Sequence, residues 1–358
     1  MIKKFWKNKK VIITGHTGFK GSWLAFWLNF VGAKVIGISK DIPSKPSLFN
    51  ILDIKKKIIN VNLDLRDLRK VKKIFKKYQP NFVFHLAAQS LVKKSYNHPI
   101  ETFTTNILGT LNVLESIKII KKKCVSIIVT SDKSYKNLEL KRGYHEDDIL
   151  GGNDPYSASK ASAELIINSY IKSFFCTKSK NNKFFAIARA GNVIGGGDWS
   201  EDRLIPDCIK SWSKKKIVKI RYPRSTRPWQ HVLEALRGYL VLSMKLSQKK
   251  KIHGEAFNFG PKVNQNKTVI ELVKEMKKNW NNVNWSISKL KMKSFESNLL
   301  ELNSNKAKKL LHWKPKLDFR KTVELTVQWY KNYYQKKINM NKFSQKQLLE
   351  YIRLTKIK

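Results

Sequence analysis

The sequence predicts an α/β fold, a doubly wound parallel sheet with a smaller, discontinuous C-terminal domain. Two observations carry this. Six short apolar, β-rich runs alternate with helix-period segments through the first half of the 358-residue chain, and the rhythm breaks near residue 190. A glycine-rich turn follows the first run and opens a helix, where sheets of this kind bind their ligand.

In chain order, VIIT (11–14), KVIGIS (34–39), INVNLD (59–64), FVFHLA (82–87), SIIVTS (126–131) and FFAIAR (184–189) read as buried strands. Several lack polar alternation, as parallel strands covered on both faces do. Helices are expected between them at 21–31, 68–78, 105–118 and 158–174. Beyond residue 190, RAGNVIGGGDWSEDRLIPD and RYPRSTRPWQHV read as loops, and a helix over 232–246 returns to the main sheet. The expected division gives residues 1–190 plus about 227–252 to the sheet domain and about 191–226 and 253–335 to the smaller, substrate-binding domain. Residues 336–358, rich in Lys, Asn and Gln, are expected to form a peripheral tail.

Lys and Arg number 72 against 26 Asp and Glu, a formal charge of +46, but only 11 of the cations are Arg and the lysines are spread evenly. Arg reads bases and grips phosphate bidentately, so this pattern argues for compositional bias rather than a nucleic-acid partner. The field would still draw in an anionic small substrate. Cys124, Cys176 and Cys208 are far apart, without metal or redox spacing. They fit a reducing cytoplasm and no metal site. The basic N-terminus has no cleavage signature and no uninterrupted apolar run reaches about 18 residues, so neither a signal peptide nor a membrane span is expected.

TGHTGFKGSW places Gly15, Gly18 and Gly21 in a G-x-x-G-x-x-G turn between strand and helix, with Thr17, Phe19 and Lys20 on the same turn. Backbone N–H groups and the positive helix end there suit a pyrophosphate. A triphosphate loop needs Gly-Lys-Ser in that order; here Gly21 separates Lys20 from Ser22. Lys20 is read as neutralising phosphate or as facing solvent. Asp41, just past the second strand, is positioned to accept from adenosine ribose hydroxyls, and Asp64 to meet the adenine edge. A solvated loop carboxylate is the alternative for each. Together these residues describe a Rossmann-type site for NAD, while Ser39 and Lys40 beside the ribose leave NADP open.

DPYSASKASAEL sets Tyr156 and Lys160 four apart on one helix face. A phenol titrates at about 10, and bringing it to about 7 takes roughly 4 kcal/mol. One cation at about 4 Å, at an effective dielectric of about 20, supplies that order. Lys160, helped by an oxidised nicotinamide, is therefore expected to make Tyr156 a usable base, and Ser131 in TSDKSY to share its proton network. Arg221, Arg224 and Arg227 gather near one loop, and Trp199 and Trp229 offer flat surfaces to a base or sugar, with core packing as the alternative.

The segments GHTGFKGSWL, PSLF, HLAAQ, TSDKSY, DPYSASK, RAGNVIGGGDW, DRLIPD, RPWQHVLE, FNFGP and LHWKP resemble the extended short-chain dehydrogenases/reductases. Within that group the chain is similar, from about residue 5 to 330, to the CDP-glucose 4,6-dehydratases of deoxysugar and O-antigen synthesis. The resemblance implies that Leu65, Ala87 and Ala88 join the NAD site. It also implies that Gln89, Asn192, Arg203, Arg227 and Asn258 line CDP-glucose. It gives Asp132 the protonation of the departing 6-hydroxyl. It gives Lys133, where dTDP- and GDP-sugar dehydratases carry Glu, either the C5 proton or a purely orienting role. Helices 105–117 and 158–174 resemble the pair through which such enzymes form homodimers or tetramers. A 4-epimerase or keto-sugar reductase on the same scaffold is the alternative, and neither needs an acid such as Asp132.

Overall fold

Seven parallel strands form the central sheet in the computed structural model, which describes residues 2–176, 182–262, 266–281, 283–287, 300–336 and 338–355. They are β1 (Lys10–Thr14), β2 (Lys34–Ser39), β3 (Ile59–Asn62), β4 (Phe82–His85), β5 (Cys124–Val129), β6 (Lys183–Ala190) and β7 (Ala256–Phe259). The order is β7-β6-β5-β4-β1-β2-β3, so the winding reverses between β1 and β4. That switch point opens a crevice at the carboxyl ends of the strands.

The apolar runs lack polar alternation because both faces are covered. Val11, Ile13, Phe84 and Ile127 face one apolar layer and Ile12, Val83, Ile128 and Ile187 the other. Helices α1 (Phe19–Phe30) and α5 (Val232–Gln248) pack on the first face. Helices α2 (Leu68–Tyr78), α3 (Gly109–Lys118) and α4 (Pro155–Tyr170) contribute to the second. The start of α4 is set locally. Asp154 and Ser157 form a reciprocal capping box and Pro155 occupies the first turn, so Tyr156 is fixed at the helix entrance.

Three expectations are corrected. INVNLD is a strand only over Ile59–Asn62, and β3 is not buried: it ends the sheet, with Ile59 45% exposed. Residues 256–259, assigned from sequence to the smaller domain, instead add β7 to β6 in parallel. Finally, the tail is not peripheral. Following α6 (Phe319–Gln335), helix α7 (Met340–Thr355) buries Leu348 and Tyr351 in the core. The Tyr351 hydroxyl accepts from Arg237 Nε at 2.9 Å, and Trp329 Nε1 donates to Ser344 Oγ at 2.8 Å.

The smaller part is built on helices Leu204–Trp212 and Val269–Lys277 and on short strand pairs, Thr226–Arg227 with Lys267–Thr268 and Val218–Ile220 with Trp285–Ile287. Among the described residues no helix is long and apolar enough to cross a membrane.

Candidate active site

The glycine turn leaves β1 at Thr14 with Gly15 at φ +76°, a left-handed conformation that glycine adopts without strain. A Cβ on Gly15 would stand 2.7 Å from the Ala87 amide nitrogen, and one on Gly21 would overlap the Gly15 carbonyl. No side chain caps α1 at Gly18, so the first N–H groups of the helix face the turn without a side-chain acceptor. This cradle, which side chains would fill, fits a pyrophosphate. Thr17 ties it to the end of β2, donating from Oγ1 to the Asp41 carbonyl at 2.6 Å and from its amide to Ser39 Oγ at 3.3 Å. Ala87 donates to Thr14 Oγ1 at 3.3 Å, which brings the segment after β4 alongside.

Gly15, Thr17, Gly18, Phe19, Lys20, Gly21, Asp41, Ala87 and Ala88 are thus gathered at the ends of β1, β2 and β4. Asp64 and Leu65 follow β3. The Asp64 carboxylate accepts from Arg66, with Nη2 at 2.6 Å, and that guanidinium holds its carboxyl below the usual range. The Asp41 side chain is exposed. Sequence reasoning missed His16, which lies buried beneath the turn. Its Nδ1 accepts from Ser39 Oγ at 2.9 Å and its Nε2 donates to Asn60 Oδ1 at 2.6 Å. Ser39 is therefore occupied within the protein.

The second group sits where β5 ends. Ser131 Oγ donates to Asp132 Oδ1 at 2.9 Å, and the Lys133 amide donates to the same oxygen at 2.8 Å. Asp132 is buried, and burial raises its carboxyl above the ordinary range against the opposing pull of Lys133, Ser131 and Lys20. Burial pushes the Tyr156 phenol up to about 12, with the nearby Ser131 hydroxyl and Arg203 opposing the rise and Asp132 adding to it. Lys160 directs Nζ to the Val129 carbonyl at 3.2 Å, and burial, then the charge of Lys20, lowers its amine to about 8. Burial of both groups, which residue spacing does not reveal, opposes the effect of a single cation in the cofactor-free protein. Lys20 is likewise lowered to about 8, by burial and then Arg203, with Asp132 opposing, so it belongs to this charged cluster.

Asp132, Lys133, Asn192 and Arg227 line one small cavity with Pro228 and Leu300. Arg203 pairs with Asp198 Oδ2 at 2.7 Å. Two residues expected to line the substrate are engaged within the protein. Gln89 spends its amide internally, donating to Thr102 Oγ1 at 2.9 Å and the Leu91 carbonyl at 3.1 Å and accepting from the Leu91 amide at 2.7 Å. Asn258 is fully buried, accepting from the Tyr135 hydroxyl at 2.9 Å and donating to the Tyr144 carbonyl at 2.8 Å. Both brace loops. Trp199 packs against Trp329, Tyr330 and Tyr333, and Trp229 joins the core edge, so packing rather than ligand stacking accounts for each.

A buried network joins the two groups. Thr14 Oγ1 meets His85 Nδ1 at 2.7 Å, and His85 Nε2 meets Thr110 Oγ1 at 2.9 Å. Thr110 bonds the Asn106 carbonyl, whose side chain reaches Ser159 Oγ at 2.8 Å, one turn from Tyr156. Burial lowers His85 to about 3, so its ring is neutral. No spacing in the sequence marks these residues.

The chain matches the sequence profile of the family described as GDP-mannose 4,6 dehydratase over residues 12–326. It is 42% identical to the CDP-glucose 4,6-dehydratase of Salmonella typhimurium over 332 residues, 92% of each chain. Among solved structures it is similar to an epimerase from Methanothermobacter thermautotrophicus, with TM-score 0.81, 26% identity and coverage of 94% of this chain and 96% of that one. It also shares the fold of the dTDP-glucose 4,6-dehydratase from Bacillus anthracis in complex with NAD, with TM-score 0.75, 22% identity and coverage of 91% and 98%.

Proposed function

The chain belongs to the GDP-mannose 4,6-dehydratase family, and on that premise we propose that it removes water from CDP-D-glucose to give CDP-4-dehydro-6-deoxy-D-glucose. The observation that carries this reading is Asp132, a buried carboxyl that burial holds above its ordinary range, hydrogen-bonded to Ser131 and near enough to Tyr156 to act on its phenol. A carboxyl held above its ordinary range is better suited to give a proton to a departing hydroxyl, a step that 4-epimerisation never requires.

The turn containing Gly15, Gly18 and Gly21, with Thr17 and Asp41, would hold NAD. Bound there, NAD supplies the acceptor for the C4 hydride, a positive charge that favours the Tyr156 phenolate, and the hydride returned to C6. Tyr156 takes the 4-hydroxyl proton, leaving a 4-ketone that acidifies C5–H. Lys133 removes the C5 proton, and Asp132 protonates the 6-hydroxyl as it departs as water. Lys133 then returns a proton to C5. The proton gained by Tyr156 balances the one lost by Asp132. Arg227 and Asn192 share the cavity of Asp132 and Lys133, and a guanidinium there is suited to the pyrophosphate of a CDP-sugar.

Leu108 and Leu165 stay 39% and 60% exposed on the helical segments 104–118 and 155–175, which supports a homodimer or larger oligomer through those faces. A monomer by light scattering contradicts that. The cysteines are free, as the reducing cytoplasm in which we place the enzyme allows. Incubation with CDP-, dTDP-, GDP- and UDP-hexoses, followed by the base-induced absorbance of a 4-keto product, tests the substrate. Turnover should favour CDP-glucose, and preference for another base overturns the assignment.

A further inference from the structure

We propose that Glu164 and Arg189 form a positioning brace that holds the turn at residues 131–134 in register with Tyr156 and Lys160. Glu164 lies one helical turn beyond Lys160 on α4 and is completely buried. Its Oε2 accepts from the Thr130 hydroxyl at 2.9 Å, and its Oε1 accepts from Arg189 Nε at 2.8 Å. Arg189, buried on β6, also donates to the Tyr135 hydroxyl and, at 2.8 Å, to the Glu146 carbonyl.

Thr130 immediately precedes the turn and Tyr135 immediately follows it. The turn is therefore tied at its entry through Glu164 and at its exit through Arg189, and the ion pair closes the ring. Lys160 adds a further tie, from α4 to the Val129 carbonyl. Tyr135 passes the constraint to β7 by donating to Asn258 Oδ1, and Glu146 accepts from the Asn258 amide at 2.8 Å. Burying such a pair is a poor way to gain stability compared with apolar packing, whereas a satisfied polar network specifies one geometry.

The inference rests on the proposed dehydration. In that reaction α4 carries C4 oxidation through Tyr156 and Lys160, while the turn carries elimination through Asp132 and Lys133. The brace fixes the distance between these two half-reactions. Neither Glu164 nor Arg189 transfers a proton.

Thr130→Val and Tyr135→Phe each delete one hydroxyl at nearly constant shape and leave the Glu164 charge that acts on Lys160 in place. In NAD-loaded protein mixed rapidly with CDP-glucose, C4 oxidation should stay within about threefold of the parent rate while elimination slows at least about tenfold, so that reduced nicotinamide accumulates. In the cofactor-free proteins, hydrogen exchange at Lys133, Ser134 and Tyr135 should rise about tenfold or more while the central strands keep their protection. Equal slowing of both half-reactions, no slowing, or unchanged protection of the turn in a folded variant overturns the brace. If the parent protein fails to turn over CDP-glucose, the functional reading falls and the exchange measurement alone decides the brace.

Discussion

Replacing Lys160 with Met should stabilise the cofactor-free protein at neutral pH while abolishing turnover. Lys160 is 7% exposed, and burial, reinforced by Lys20, brings its amine from 10.5 to about 8. That lowering corresponds to roughly 3 kcal/mol by which holding this charge destabilises the folded state. Losing the bond to the Val129 carbonyl takes back about 1 kcal/mol. A net gain of roughly 2 kcal/mol is expected at about pH 7. The folded value is the lower one, so the penalty is full below about pH 8, shrinks as pH rises to 10.5 and is absent above it. In that window the unfolded chain binds the proton the folded chain has released, so parental stability climbs with pH. The Met variant has no such climb. Urea unfolding of both proteins at about pH 7 and about pH 10, at matched ionic strength, measures the difference. A variant no more stable at the lower pH, or a gap that does not narrow at the higher, refutes the reasoning.

Gly21→Ala drives a methyl group into the Gly15 carbonyl, so calorimetric titration should show NAD binding weakened at least about tenfold, or about 1.4 kcal/mol. Unchanged affinity would mean the turn is not the cradle. Lys133→Met should reduce solvent-deuterium entry at C5 by about 100-fold or more while C4 oxidation persists; normal entry removes Lys133 as the base. Leu348→Ala, at a fully buried position of α7, should cost about 3 kcal/mol in urea unfolding. A loss well below about 1 kcal/mol would return α7 to the periphery.

Five of the six strands were legible because two covered faces demand unbroken apolar runs, while β3, at the sheet edge, carries no such run; the grouping of Ser131, Tyr156 and Lys160 near the end of β5 could be read because their chemistry restricts residue type and spacing. What was missed depends on information that spacing does not hold. FNF is too short a run to announce β7, although pairing with β6 through Asn258 and Phe259 makes it central. The polar composition of the tail hid a single buried face formed by Ser344, Leu348, Tyr351 and Thr355. Gln89 and Asn258 stand in segments that border the site, but the direction of a side chain is set by its neighbours, and here both amides turn inward. Glu164 had a usable signal, its place four residues after Lys160, but its partner Arg189 is brought close only by the folded sheet.

CDP-glucose carrying deuterium at C4 tests dehydration most directly. Supplied to the NAD-loaded protein in ordinary water, it should yield a 4-keto-6-deoxy sugar nucleotide with the deuterium in the C6 methyl group and a solvent-derived hydrogen at C5. Deuterium retained at C4 of an epimerised sugar, or lost to water, contradicts a hydride taken from C4 and returned to C6 within one active site.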